Sequence, residues 1–142
     1  AIDYKAGSVA QALYRTAPEG IDVYFDNVGG DILDAALTRL AKGARIVICG
    51  AISQYNTSGP VQGPSNYLAL LVARASMTGM VVFDWAERYG EGLAALAGWY
   101  SEGRLVSRED IVEGGIDLFH DTLMRLFDGA NTGKLVLQLR DA

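Results

Sequence analysis

Residues 21–50, IDVYFDNVGGDILDAALTRLAKGARIVICG, place two apolar runs on either side of one helical pattern. The runs, Ile21 to Asn27 and Arg45 to Gly50, have the length and composition of buried strands. Between them the apolar residues recur at helical spacing, with Asp31 placed to cap the helix and Gly43 to close it. These apolar positions are Leu33, Ala36, Leu37 and Leu40. A strand, a helix and a second strand in this order are typical of a parallel sheet covered by helices.

The same alternation extends to both sides of this stretch. Before it, a short helix is predicted at Ser8–Ala17, with Ser8 and Gln11 spaced as a capping box. After it, a helix from about Asn66 to Arg74 leads to a third apolar strand at Met77–Phe83. Strands joined by helices in this way predict an α/β fold with a Rossmann-type, doubly wound parallel sheet.

The composition changes beyond the third strand. A helical stripe from Trp85 to Tyr100 is expected to pack in a core or between subunits, and Gly103 ends it. The elements predicted after it are a short strand at Arg108–Val112, a helix at Asp117–Phe127 and a closing strand at Lys134–Leu139.

Charge and composition disfavour several classes of function. The 142 residues carry a formal net charge of -5, from 12 basic and 17 acidic side chains, so nucleic acid and anionic membranes are not expected partners. No apolar run approaches the ~18 residues of a membrane span, and the start, AIDYKAGS, lacks the pattern of a signal peptide, so a cytoplasmic location is expected. The single cysteine, Cys49, and the single histidine, His120, leave too few ligands for a zinc site. We therefore expect no metal, and we expect any chemistry to come from a bound cofactor.

In a parallel sheet, ligands bind where the carboxyl ends of the strands meet. The segments that follow the predicted strands are NVGG at 27–30, GAISQYN at 50–56 and MVVF at 80–83. Glycines there let a flat ligand approach the backbone, and the Asn27 amide can bond a ribose hydroxyl. Gly29 and Gly30 could equally form only a tight turn, and the dinucleotide fingerprint G-x-G-x-x-G is absent. The pattern alone therefore predicts a nucleotide-binding half sheet.

Four strings of the sequence carry a resemblance to one enzyme family. They are FDNVGG at 25–30, ICGAISQYN at 48–56, MVVFDW at 80–85 and GANTGKLVL at 129–137. Their order and spacing resemble the leukotriene B4 12-hydroxydehydrogenase / prostaglandin reductase family, which includes the alkenal double-bond reductases. That family is a zinc-free branch of the medium-chain dehydrogenase/reductase superfamily. The resemblance covers essentially the whole chain.

The resemblance implies that the chain is a C-terminal fragment. Family members carry a GroES-like substrate domain and a glycine-rich phosphate loop, and both would precede Ala1. Residues 1–104 would then be the C-terminal part of the NADP-binding Rossmann domain, and residues 105–142 would return to the substrate domain. The implied cofactor is NADPH, although the positions that recognise its 2′-phosphate would also lie upstream. The fragment by itself is expected to be inactive, and a folded but inert nucleotide-binding or dimerisation module is the alternative.

The cofactor contacts of the family fall mainly on the three strand ends. The matching positions are Tyr4, Asn27, Gly29, Cys49, Gly50, Ala51, Ile52, Ser53, Tyr55, Met80, Val81, Val82 and Asn131. By this resemblance Tyr4 lies beside the adenosine, the loop at 49–55 follows the nicotinamide ribose, and the backbone of 80–82 contacts the carboxamide. Met80 and Thr132 depart from the family, which commonly has phenylalanine and an apolar residue at these positions.

The reaction that the resemblance implies is reduction of the C=C bond of an unsaturated aldehyde or ketone by hydride transfer. Tyr55 is the expected catalytic residue, because its protonated phenol can hydrogen-bond the developing oxyanion or supply a proton. Its alternative role is packing along the cofactor. A quinone reductase of the same superfamily is the alternative activity. Pairing of the Met77–Phe83 edge strand with its copy predicts a homodimer.

Three further polar residues are interpreted as structural. Asp26 is expected to be a solvated turn carboxylate, with a role in orienting the loop as the alternative. Cys49 is expected to be a small buried hydrophobe, and His120 to lie on a solvated helix face.

Overall fold

The computed structural model describes residues 1–139, which divide into two separately packed units, Ala1–Asp84 and the part from Trp85 onward. Residues 140–142 of the predicted C-terminal segment lie outside the described range. The division falls at a different position from the predicted limit at residue 104. That limit separates segments by their role in the family, and it stays a prediction.

The first unit contains a parallel sheet of three strands in the order β1, β2, β3. The strands are β1 (Ile21–Asp26), β2 (Leu40–Ile48) and β3 (Ser76–Gly79). Ile46 of β2 lies opposite Tyr24 of β1 and Met77 of β3, so these side chains share one face of the sheet. The predicted α/β class with a parallel sheet is confirmed.

Helices cover that face of the sheet. The helices of this unit are α1 (Val9–Thr16), α2 (Gly30–Leu37) and α3 (Ala69–Ala73). Leu33 and Leu37, one turn apart on α2, are buried against Ile46, and Leu70 of α3 packs on the same cluster. Burial of a leucine or isoleucine side chain contributes about 1.5–3 kcal/mol to folding. The α2 and α3 helices thus lie over the same face.

Gly43 does not close α2, and that prediction was wrong. The helix ends at Leu37, and the chain enters β2 at Leu40. Gly43 lies inside β2 with a φ of 79°, in a stretch where the pairing with β1 changes register between Ile21 and Val23. The glycine therefore belongs to an irregular part of β2, where a positive φ is needed.

The third strand is shorter than predicted. β3 ends at Gly79, and Met80 adds one further bond to β2, from its N–H to a carbonyl oxygen 2.9 Å away. The chain then forms two short 3-10 turns within Val82–Arg88, separated by a non-helical Trp85, and the first opens with Asp84 N donating to Val81 O at 3.2 Å. Val81 and Val82 are β-branched and favour a strand by propensity, but the chain forms this local turn there and the strand does not continue.

Polar contacts hold both ends of α1. Ser8 Oγ accepts a hydrogen bond from Gln11 N at 3.3 Å, which confirms the predicted cap. At the other end, Arg39 Nε donates to Ala17 O at 3.0 Å. The Arg39 guanidinium also lies 4.6 Å from the centre of the Tyr14 ring. Arg39 thereby fastens the end of α1 to the turn that leads into β2.

The second unit combines helices with a two-stranded parallel sheet. Its elements are α4 (Tyr89–Ser101), β4 (Glu109–Gly114), α5 (Phe119–Phe127) and β5 (Lys134–Leu139). The bounds of β5 are those predicted. Gly103, with a φ of 70°, ends α4 as predicted, because Arg104 N turns back to Trp99 O at 2.8 Å. His120 is exposed on α5, which is also confirmed.

A carboxylate joins α5 to the sheet of the second unit. Asp110 of β4 accepts hydrogen bonds from Arg125 Nη2 of α5 and from Thr132 N, both at 3.1 Å. The apolar side chains of α4 are exposed, among them Leu93 and Tyr100. The packing role expected for that helix stays a prediction. No helix within residues 1–139 is long and apolar enough to cross a membrane.

Candidate functional site

A cleft of about 830 Å³ opens where β1 and β2 end. Its walls come from the segment before α1 and the first turn of α1, the turn after β1, the start of α2, and the loop after β2. The lining residues are Tyr4, Gly7, Ser8, Val9, Ala10, Val28, Gly29, Asp31, Ile32, Ala35, Ile52 and Ser53. The cleft therefore lies at the sheet edge where a parallel α/β fold binds its ligands.

Asp26, the last residue of β1, lies beneath this cleft and is 1% exposed. Its Oδ1 accepts hydrogen bonds from Val28 N at 2.9 Å and from Gly29 N at 3.0 Å, and its Oδ2 lies 3.1 Å from Gly29 N. The interpretation of Asp26 as a solvated turn carboxylate was wrong. A buried carboxylate needs donors in place of water, and the backbone of the following turn supplies them.

Tyr24 provides a further donor to the same carboxylate. Its hydroxyl donates to Asp26 Oδ1 at 3.2 Å. Burial, the negative charge of Asp26 and the hydrogen bond to it together raise the pKa of Tyr24 to about 12, with burial the largest cause. The phenol therefore remains protonated, and remains a donor, throughout the neutral range.

The turn after β1 has a backbone that favours glycine. Gly29 has φ 69° and ψ −155°, and Gly30 has a φ of 54°. A Cβ on Gly30 would come 2.9 Å from Ser53 Oγ. The two glycines thus let α2 begin directly beside the loop that follows β2, and the tight turn considered from the sequence is present.

Backbone hydrogen bonds join the two strand-end loops. Cys49 N and Gly50 N donate to Asp26 O at 2.8 and 3.2 Å. In the next residues Ile52 N donates to the carbonyl of residue 27 at 3.1 Å, and Ser53 N donates to the carbonyl of residue 28 at 3.0 Å. The Ser53 hydroxyl donates to that same carbonyl of residue 28 at 2.6 Å. The loop after β2 therefore follows the path set by the turn after β1.

The far side of that loop is held by a second carboxylate. Asp34 of α2 accepts from Asn66 N at 2.9 Å and from Ser65 N at 3.1 Å. The bond from Asn66, with a smaller contribution from Ser65, lowers the pKa of Asp34 against the opposing effect of desolvation. Asp34 thus fixes the chain just before α3.

The structure brings part of the predicted cofactor site together. Four predicted residues line the cleft: Tyr4, Gly29, Ile52 and Ser53. Four more form the turn and loop that support it: Asn27, Cys49, Gly50 and Ala51. Cys49 is only half-buried, not fully buried as expected. The glycine at position 50 allows close contact, since a Cβ there would lie 3.3 Å from Asn27 O.

The remaining predicted residues lie outside the cleft lining. Tyr55 follows the 3-10 turn Ile52–Gln54 and is 67% exposed. Residues 80–82 follow β3, at the same carboxyl edge of the sheet. Asn131 belongs to the second unit, where its Nδ2 donates to Gly133 O at 2.8 Å.

Sequence reasoning missed one wall of the cleft. Ser8, Val9 and Ala10 place the first turn of α1 beside the strand ends. The capping box located this helix, but no pattern in the sequence indicated that its first turn lies beside the strand ends. On the other wall, Asp31 lies exposed within the first turn of α2; Gly29 occupies the cap position, so the prediction that Asp31 caps this helix was wrong.

We expect Gly30→Ala to lower the free energy of unfolding more than Gly43→Ala does. Both positions have a positive φ, which costs an L-residue about 1–2 kcal/mol. A Cβ at Gly43 meets nothing within 4 Å, whereas one at Gly30 collides with Ser53 Oγ. The collision should add about 1 kcal/mol or more, measured by urea unfolding. Equal losses in the two variants would contradict the described contact between the turn and the loop.

Tyr24→Phe should change how stability depends on alkaline pH. Because the folded pKa of Tyr24, about 12, exceeds the ordinary value near 10, folding favours the protonated phenol. Its contribution is complete below about pH 10 and is lost as the pH rises toward 12. Wild type should therefore be more stable than the variant near neutral pH and lose that advantage above about pH 10. Urea unfolding across this range measures the difference, with Tyr67→Phe at an exposed site as control. An advantage that stays constant with pH would refute the assignment.

Known proteins are similar to this chain over nearly its whole length. A family model described as zinc-binding dehydrogenase matches residues 1–137. The 2-alkenal reductase (NADP(+)-dependent) of Nicotiana tabacum is 38% identical over 98% of this chain and 40% of its own length. Prostaglandin reductase 1 of Bos taurus is 38% identical over 97% of this chain and 42% of its own length.

A solved structure shares both sequence and fold. The crystal structure of CurA in complex with NADPH from Vibrio vulnificus superposes with a TM-score of 0.84 and 39% identity, over 99% of this chain and 43% of that one. The chain spans about two fifths of the length of the curated relatives that it matches. It belongs to the zinc-binding dehydrogenase family, within the medium-chain dehydrogenase/reductase superfamily, and the predicted resemblance to prostaglandin and alkenal reductases is confirmed.

Proposed function

We propose that this chain forms the nicotinamide-side part of the NADP(H)-binding domain of an oxidoreductase that reduces the C=C bond of α,β-unsaturated carbonyl compounds. The observation that carries the proposal is the cleft at the ends of β1 and β2, built on a glycine turn above Asp26. Relatives named as an NADP-dependent alkenal reductase and a prostaglandin reductase support it, as does the likeness to a structure solved with NADPH.

The cleft residues suit a dinucleotide that runs along the sheet edge. Tyr4 and Ser53 line the same cleft, and the resemblance assigns them to the adenosine and to the nicotinamide ribose. Apolar side chains such as Ile32 and Ile52 offer surfaces for flat rings, and the hydroxyl of Ser53 offers a polar contact. Asp31 can accept hydrogen bonds from ribose hydroxyls and disfavours a phosphate next to it.

The family description mentions zinc, but the residues of this chain do not fit a zinc ion. Within residues 1–139 no group of three or more His, Cys, Asp or Glu side chains is arranged to hold a metal. Zinc-independent chemistry is part of the proposal because the family resemblance implies it, and when bound the nicotinamide cofactor supplies the hydride. The residues of the chain bind and orient the reactants.

Tyr55 is the proposed proton donor or oxyanion partner. It lies just past Ser53, and its phenol is exposed at the ligand-binding edge rather than packed in the cleft lining. An exposed phenol there can reach a carbonyl oxygen of a substrate held over the nicotinamide end. The alternative is that Tyr55 only packs along the cofactor, in which case removal of its hydroxyl would leave turnover unchanged.

The activity is tested with the protein encoded by the complete reading frame. We expect oxidation of NADPH by 2-alkenals and enones, and we expect Tyr55→Phe to lower kcat by about 10²-fold or more, in the range of lost acid-base catalysis, with NADPH binding unchanged. Tyr14→Phe, on α1, is the matched control and should leave kcat unchanged. Unchanged turnover in Tyr55→Phe would refute the proton-donor role. Activity on quinones alone would favour the quinone reductase, and no activity with any acceptor would favour an inert nucleotide-binding module.

We also propose that the protein pairs with a second copy through β3 and the residues after it. β3 lies at one edge of the described sheet, so its outer backbone groups are unpaired there. Beyond it Phe83 is 76% exposed, and the same unit exposes Leu71 and Val72 of α3. Sedimentation equilibrium should give a dimer that Phe83→Lys weakens and that Val106→Lys, at an exposed site in the second unit, does not. A monomeric wild type would exclude this interface.

A further inference from the structure

Asp26 is a buried carboxylate that the proposed chemistry does not use directly. Its oxygens are occupied by Val28 N, Gly29 N and the hydroxyl of Tyr24. The Asp26 backbone carbonyl accepts from Cys49 N and Gly50 N. A single residue therefore sets the turn after β1 with its side chain and the loop after β2 with its main chain.

We propose that Asp26, held in place by Tyr24, is a positioning residue that sets the cofactor-facing turn of the cleft. The inference rests on the proposed function, because it assumes that the cleft holds NADP(H). Asp26 does not line the cleft, so it acts through Val28 and Gly29, which do. Its bonds to their N–H groups fix which way the peptide units of the turn face.

The geometry of the turn makes that orientation sensitive to Asp26. Gly29 and Gly30 both have positive φ values, and glycine has no Cβ to restrict it to one conformation. Something other than the glycines must therefore select the observed backbone. The charged acceptor does so, since hydrogen bonds to a carboxylate are roughly twice as strong as those to a neutral oxygen.

Asp34 offers an internal comparison for this role. It also accepts two backbone N–H bonds, from Ser65 and Asn66, at distances similar to those at Asp26. It lies on α2 but does not line the cleft. If carboxylate-to-backbone bonds mattered only for stability, Asp26→Asn and Asp34→Asn would alter NADPH binding equally for an equal loss of stability.

The test compares Asp26→Asn with Asp34→Asn in the protein encoded by the complete reading frame. Asn keeps the size of Asp, but it loses the charge and places an amide N–H₂ where Oδ2 meets Gly29 N. The NADPH dissociation constant is measured by fluorescence titration, with unfolding temperature and amide hydrogen exchange of residues 24–32 measured in parallel. We expect the dissociation constant to rise about tenfold in Asp26→Asn, with faster exchange in 24–32, and to stay within about twofold in Asp34→Asn.

Each outcome decides between defined alternatives. A folded Asp26→Asn that binds NADPH as wild type does would overturn the positioning role. Equal changes in both dissociation constants, in proportion to lost stability, would also overturn it. Wild type that fails to bind NADPH would reject the proposed function itself, whereas unchanged exchange in 24–32 would reject the positioning role alone. If Asp26→Asn does not fold, Tyr24→Phe removes the 3.2 Å bond only and should raise the dissociation constant about threefold; no change would overturn the proposal.

Discussion

A negative charge buried under the end of β1 governs the construction of the site. Leaving a carboxylate out of water is costly unless hydrogen-bond donors replace its hydration, and Asp26 finds them in the turn that it begins. The hydrogen bonds that stabilise the charge of Asp26 therefore also fix the conformation of the turn. The start of α2 at Gly30 and the path of the loop after β2 both depend on this arrangement.

Periodicity in the sequence was sufficient to predict the strands and helices of the first unit, because a core of Leu33, Leu37 and Ile46 requires apolar residues at helical spacing opposite a buried strand. Periodicity was insufficient where the local backbone conformation determines the end of a helix or strand. Gly43 looked like a helix end because a cap and a strand irregularity both use a positive φ. The residues after Gly79 looked like strand because β-branched propensity says nothing of a following turn.

The sequence predicted the part of the site at the strand ends, but it did not predict the contacts that hold that part in place. Glycines and an asparagine after a strand indicate a ligand edge, but whether the Asp26 carboxylate meets water or the N–H groups of Val28 and Gly29 depends on how the turn folds back, which the pattern does not give. The wall formed by Ser8 at the start of α1 likewise depends on where tertiary packing places that helix. The cytoplasmic location, the limit at residue 104 and the cofactor contact of Asn131 remain predictions from composition and family resemblance.

The fastening of α1 by Arg39 has a consequence for how the cleft can change over evolution. One end of α1 forms a wall of the cleft, and its other end, roughly 12 Å away along the axis, is tied to the turn into β2. Because the helix is rigid, a displacement of its carboxyl end also displaces its first turn, which lines the cleft. Such a change needs no substitution inside the cleft. Ligand preference in relatives can therefore change through substitutions at the end of the sheet where the strands begin, where no residue contacts the ligand.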